Sequence, residues 1–163
     1  MQIDRTDVKN EDDFSLFTSL VADMNALRTA LLNNVQVHGG FDQGTTTTKF
    51  KTSAATNYVV NGRNYSKAAT DDAGQPAAGN TSSVQFRKDL ISIGAAGTFT
   101  VTVGTVAASQ GAAVKPACPA GEVELGWIEV PNSFTPGTTA VTAGMLKQVV
   151  LGADLALATT IGS

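Results

Sequence analysis

The dipeptide Asn61-Gly62 stands between Tyr58-Val59-Val60 and Arg63-Asn64-Tyr65, and this arrangement leaves the chain little freedom there. Both central positions of a tight two-residue turn need positive φ, which Asn and Gly tolerate best, and the β-branched and aromatic flanks suit a pleated ladder. An antiparallel hairpin is expected, with Tyr58 and Tyr65 paired across it. Much of the later sequence has the same texture. Residues 45–52 are dense in threonine and read as a strand. Strands are also expected at 83–93 and 98–106, joined by Gly94-Ala95-Ala96-Gly97, with Phe99, Val101 and Val103 alternating against Thr98, Thr100 and Thr102. The run 122–130 reads as a further strand ended by Pro131. Strict alternation puts Val123, Leu125 and Trp127 on one face, Trp127 as a core anchor, and Glu122 and Glu124 opposite. Residues 70–81 carry Asp71, Asp72, Gly74, Pro76, Gly79 and Asn80 and read as a mobile loop. Residues 107–121 and 131–139 read as connections, and the periodicity of 141–157 does not separate strand from helix.

One segment departs from this texture. Over 10–33, Asn10 is suited to an N-cap, Glu11, Asp12 and Asp13 complement the positive end of a helix dipole, and Asn33-Asn34 closes the run ahead of Gly39-Gly40. Phe17, Leu20, Met24, Leu27 and Leu31 recur at three-four spacing along one stripe, which Phe14 and Val21 widen near its start. Such a stripe packs either on the chain's own sheet or on other helices around a symmetry axis. The seam runs for about two heptads, short of the three or four that would decide for a coiled coil, so the sequence leaves both open. The fold expected is mainly β, an antiparallel barrel or sandwich with a jelly-roll arrangement among the options, carrying one N-terminal α-helix. Residues 1–38 are read as an arm and amphipathic helix, and 39–163 as a β-rich domain.

A chain of 163 residues suffices for one hydrophobic core. Only 15% of it is charged, so its surface is expected to be weakly charged and partly covered by partners. The net charge of −3 is concentrated at the start: Asp4, Asp7, Glu11, Asp12 and Asp13 oppose only Arg5 and Lys9, and the rest carries nine charges of each sign. A neutral body lacks the clustered cations that nucleic acid demands; the pairs Lys49/Lys51 and Arg87/Lys88 do not supply them. No basic start precedes an apolar stretch, and no apolar run reaches the roughly 18–20 residues of a membrane span, so neither secretion nor a membrane partner is expected. With one cysteine, no intrachain disulfide or cysteine-based zinc site can form. Cys118, in Lys-Pro-Ala-Cys-Pro-Ala-Gly, is expected to be an inert thiol in a rigid loop.

The residues that could carry chemistry are few. His38 is the only histidine, and between helix and Gly39-Gly40 it reads as a hinge or helix C-terminal residue. Asp71 and Asp72, with Asp89 the nearest further acid, lack the ligand spacing of a calcium loop and read as solvated carboxylates. Tyr58, Asn64 and Tyr65 could form a small carbohydrate-binding patch, but the two tyrosines are better placed to stabilise the hairpin. No phosphate-cradling glycine loop or nucleophile elbow is present. The expectation is a protein without catalytic, cofactor or metal residues, an enzyme being conceivable only if Asp71, Asp72, Asp89 or His38 met between chains.

The acidic N-terminal helix, the Thr/Ala/Gly-rich strands, the Asn-Gly hairpin and the late segments Gly-Trp-Ile-Glu-Val-Pro and Phe-Thr-Pro-Gly-Thr-Thr resemble small virion structural proteins of tailed bacteriophages. The nearest types are capsid decoration or cement proteins and head-fibre or tail-adaptor pieces. The resemblance implies a β-barrel or β-sandwich on the capsid surface of a virion, made in the host cytoplasm. A homotrimer would clamp neighbouring subunits of the major capsid protein, with residues 1–13 as an arm that orders on docking. Phe17, Leu20, Met24, Leu27 and Leu31 are the interface residues expected on this view. The alternative expectation is a tail-adaptor or receptor-binding module of a tail or fibre.

Overall fold

The computed structural model describes residues 11–81 and 84–149, with side chains described throughout these except at 11–14 and 25–31. Helix α1 spans Glu11–Leu32. Ten strands follow: β1 Asn34–Val37, β2 Phe41–Gln43, β3 Phe50–Thr52, β4 Thr56–Val60, β5 Arg63–Lys67, β6 Thr70–Gly74, β7 Arg87–Gly94, β8 Phe99–Thr102, β9 Glu122–Val130 and β10 Leu146–Gln148. They form three antiparallel sheets with strand orders β1-β4-β5, β2-β3-β6 and β10-β9-β7-β8. The chain is thus mainly β with a single N-terminal helix. No barrel closes among the described residues; the sheets are layered as in a sandwich, with β2 beside β10 and β6 beside β8.

The Asn-Gly hairpin forms as its chemistry dictates. Asn61 and Gly62 have φ of 51° and 75°, and β4 and β5 pair from Thr56↔Lys67 to Val60↔Arg63 with Tyr58 opposite Tyr65. The two rings stack with centroids 5.7 Å apart. Tyr58 is buried and its hydroxyl donates to the Gly94 carbonyl at 3.1 Å, tying this sheet to β7. The core lies between the sheets: Val35, Tyr58 and Val60 come from one, Phe50 from another, and Ile91, Ile93, Val123, Leu125, Ile128 and Val130 from the four-stranded sheet.

Several segments differ from the sequence expectation. Residues 34–37, assigned there to the arm-and-helix segment ending at 38, are a strand, because Asn34 and Val35 pair with Val59 and Tyr58. The threonine run 45–49 is a turn that Gly44 and Lys49 close by a 2.8 Å backbone bond, so β3 begins only at Phe50. The expected loop at 70–81 starts as a strand: β6 pairs Gly74 with Phe50 and Thr70 with Thr52. Its breaker residues bulge between those two pairs, and Asp72 takes the positive φ of 51° there. The strands expected at 83–93 and 98–106 are Arg87–Gly94 and Phe99–Thr102, linked as anticipated through the turn at Gly94–Gly97. Of 141–157, residues 143–145 form a short 3-10 turn and 146–148 form β10; the remainder from 150 lies outside the described residues.

The most consequential difference is in β9. Ile91 pairs with Gly126 while Ser92 pairs with Glu124, so Leu125 is an extra residue, a bulge. Alternation resets there. Val123 and Leu125 face the core, and after the bulge Ile128 and Val130 do so, which turns Trp127 to the opposite face with Glu124 and Glu129. Trp127 is therefore half-buried on the outer face and is no anchor of the central core. Gly126 permits the arrangement: a Cβ there would stand 2.0 Å from the Lys147 carbonyl oxygen and 2.8 Å from the Phe41 ring. The connection from β8 to β9 straps this outer face, where Lys115 pairs with Glu124, Gln110 bonds Glu129, and the Lys115 Nζ lies 5.5 Å from the Trp127 ring centre.

Candidate functional site

Helix α1 has 22 residues, a length of about 33 Å. Its end is moored: the Gly62 amide donates to the Leu32 carbonyl and the Asn61 amide to Asn33 Oδ1, both at 2.9 Å. Gly62 also abuts the Leu32 side chain, since a Cβ would come within 2.9 Å of its Cδ2. Upstream, the apolar stripe faces water. Leu16 is 77% exposed, Phe17 44%, Leu20 56% and Met24 62%, and Val21 is exposed as well. In the described part of the stripe, therefore, Phe17, Leu20 and Met24 do not pack on the chain's own sheet. Leu27 and Leu31 belong to the same helix, but their side chains lie outside the described residues. A contiguous run of exposed large apolar groups marks an interaction surface.

A second, smaller feature is a groove between the sheets' edges, lined by Gly40, Phe41, Trp127, Leu146, Lys147 and Gln148. The indole Nε1 of Trp127 is buried and has no hydrogen-bond partner among the described residues.

The groups that the sequence offers for chemistry are occupied structurally. His38 lies beyond β1 rather than at the helix end, and both ring nitrogens are engaged. The Gly40 amide donates to Nδ1 at 2.9 Å, which makes Nε2 the protonated nitrogen that donates to the Leu125 carbonyl at 2.8 Å. The ring meets Phe41 edge-on at 4.6 Å. Burial lowers its pKa, against a smaller opposing effect of the Leu125 carbonyl. His38 thus pins the β1–β2 link to β9.

Asp71 and Asp72 are not free loop carboxylates. Asp71 accepts from the Thr45 amide at 3.0 Å and Asp72 from the Thr46 amide at 2.9 Å, with the Thr46 hydroxyl also on Asp72. Hydrogen bonds from the Thr45 side chain and then its amide hold the Asp71 carboxyl below the usual range. The pair caps the 45–49 turn. No cluster of three metal-ligating side chains occurs among the described residues.

Asp89 sits on β7, shares no hydrogen-bond partner with that pair and is fully buried, with Arg87 only 4% exposed. The Arg87 guanidinium grips both Asp89 oxygens at 2.6 and 2.9 Å and donates to the carbonyls of Ala78 and Gly79 at 2.7 and 3.0 Å. The Gly104 amide adds a third donor to Asp89 at 3.0 Å. The sequence reading took Arg87 only as half of a small cation pair with Lys88, and Asp89 only as the nearest further acid to Asp71 and Asp72; their two-residue spacing on one strand face was the signal available. Cys118 is half-buried, and its thiol is raised to about 11 by burial and by Glu122 and Glu124, against Lys115. Tyr58, Asn64 and Tyr65 do not form an exposed platform, because Tyr58 is buried and Asn64 accepts from Gln36 at 3.1 Å. No helix among the described residues is long and apolar enough to cross a membrane.

Comparison with protein-family models, with curated proteins and with solved structures yields no match for this chain.

Proposed function

We propose that this protein is a non-enzymatic structural component of a virion, a decoration or cement protein that binds and stabilises a capsid shell. The observation that carries the reading is the exposed face of α1, where Phe17, Leu20 and Met24 offer apolar area that one chain does not cover. The nearly neutral body, the absorption of His38, Asp71, Asp72 and Asp89 into structural bonds, and the raised thiol of Cys118 support it further. The phage resemblance supplies the class of assembly. Partners would be further copies of the chain, favoured as a homotrimer, and the major capsid protein, at the outer surface of the capsid.

The experiment is co-sedimentation of purified protein with capsid shells that lack it. Saturable binding and a raised shell disruption temperature are expected, and absence of binding would overturn the reading. The alternative, a tail-adaptor or receptor-binding module, draws no support from the tyrosine hairpin as a glycan platform. Binding to isolated tails but not to shells would favour it.

A further inference from the structure

We infer that Asn61-Gly62 is a self-modification site that the end of α1 holds shut. While α1 is moored, the Asn61 side chain keeps its carboxamide. When the mooring opens, the Gly62 nitrogen attacks that carboxamide and leaves an acid that hinders α1 from docking again.

Asn61-Gly62 is the one Asn-Gly pair in the chain. Asparagine followed by glycine is the pair most prone to cyclise, because no Cβ on the second residue obstructs its nitrogen. Both residues are exposed at the tip of the β4–β5 hairpin, so water reaches the site. The reaction needs no other reagent. The Gly62 nitrogen gives up its proton and bonds to Asn61 Cγ, the Cγ–Nδ2 bond breaks, and ammonia leaves with that proton. The five-membered imide then takes up one water. Opening at Cγ returns the ordinary backbone with an aspartyl side chain. Opening at the main-chain carbonyl routes the chain through Cγ, an isoaspartyl link with one more backbone atom. Nothing is oxidised or reduced.

The nitrogen's own hydrogen bond holds the site shut. The Gly62 N–H donates to the Leu32 carbonyl at 2.9 Å, and the neighbouring Asn61 N–H donates to Asn33 Oδ1 at the same distance. The Leu32 side chain closes over Gly62, where a Cβ would come within 2.9 Å of its Cδ2. A proton held by a carbonyl is withheld from base, so the bond that protects this amide from hydrogen exchange also protects Asn61. The Asn61 bond is exposed, and exposed hydrogen bonds open locally ahead of the body. The site therefore opens when α1 lifts, without the β body unfolding.

Either product works against the mooring. The isoaspartyl link adds an atom to a two-residue turn, so Val60 and Arg63 no longer pair with the Gly62 N–H aimed at Leu32. The aspartyl product puts a carboxylate beside the C-terminal end of α1, whose free carbonyls carry partial negative charge and whose last turn holds no basic residue.

Peptide mass spectrometry of the full chain, held in mildly alkaline buffer, tests both halves. Trypsin releases residues 52–63 as one peptide, in which Asn57, followed by the bulky Tyr58, is an internal reference. Deamidation at Asn61 is expected to run at least about tenfold slower in the folded chain than in urea; an equal or faster rate overturns the protection. Asn33→Pro removes the Asn33 acceptor and drives Leu32 out of the helical region, which turns its carbonyl away. With Trp127 fluorescence unchanged, the Asn61 rate of this variant is expected to approach that in urea, and a wild-type rate overturns the role of α1. Wild type in sub-denaturing urea decides the same point without a variant. Gly62 hydrogen exchange and Asn61 loss are expected to rise together while Trp127 fluorescence holds, and deamidation that waits for the body to unfold overturns the inference. Asn61→Asp tests the product. Hydrogen exchange over residues 15–24 is expected to quicken about two- to fivefold relative to Asn61→Gly, which keeps the turn without the charge; equal exchange overturns the block on docking.

Discussion

Asp89 and Arg87 place a charge pair inside a small β protein, where each charge depends on the other. Four acceptor atoms surround the guanidinium and three donors serve the carboxylate. Removing one partner strands the other in low dielectric, so Asp89→Ala is expected to cost about 3–5 kcal/mol, measured by urea unfolding. Arg87→Met/Asp89→Leu together, which leave no charge unpaired, are expected to cost far less. His38 responds to pH in the opposite sense to a group that gains from protonation. Its folded pKa is lowered from 6.5, so it contributes stability above that value, and the contribution is lost as pH falls through the folded value. The imidazole signal in an NMR titration is expected to have its midpoint below 6.5. The stability gap between wild type and His38→Gln is expected to narrow from pH 7.5 to pH 5. Single residues were the least legible level of this sequence: the spacing of Arg87 and Asp89 hints at a pair without telling that it is buried, and nothing local tells that Nε2 of His38 finds a partner, because the Gly79 and Leu125 carbonyls they reach lie 8 and 87 residues away.

At the scale of elements, local chemistry was read well where it is self-contained. The Asn61-Gly62 turn needs only its own two residues, and β9 was bounded at both ends because Glu122–Val130 is flanked by Gly121 and Pro131. Residues 70–74 were misread because Asp, Gly and Ala lack strand propensity; edge pairing with β3 and the capping of the 45–49 turn overrode it. In β9 the glycine inside a strand pattern was a signal for a bulge, and following it would have moved Trp127 to the outer face. Gly126→Ala is the corresponding test. With backbone at 2.0 Å from the new Cβ, strands β9 and β10 must separate, and a loss of more than about 3 kcal/mol or failure to fold is expected in thermal unfolding. The helix was legible as a helix, and its destination was not, since amphipathicity states that a face needs cover without stating by what.

For the whole molecule, the sequence carried the class, mainly β with a leading helix, and not the three-sheet layering, which depends on pairings between strands distant in the chain. Charge distribution leads to a prediction at this scale. The body is nearly neutral once the acidic start is set aside, so attachment to a shell would rest on apolar burial and neutral hydrogen bonds. Shell affinity is then expected to change by less than about threefold between 50 and 500 mM salt, because screening acts on exposed charges; a steep salt dependence in the co-sedimentation assay would place a charged interface instead. The mooring of α1 has a mechanical side. Tension drawn through the helix enters the body at Asn34, where β1 begins, and at the turn of the β4–β5 hairpin, which holds Leu32 and Asn33. Covalent chain and hydrogen bonds thus deliver the load to one end of a single three-stranded sheet, where Asn34 lies opposite Val59 beside the turn, so the strand and the hairpin receive it together.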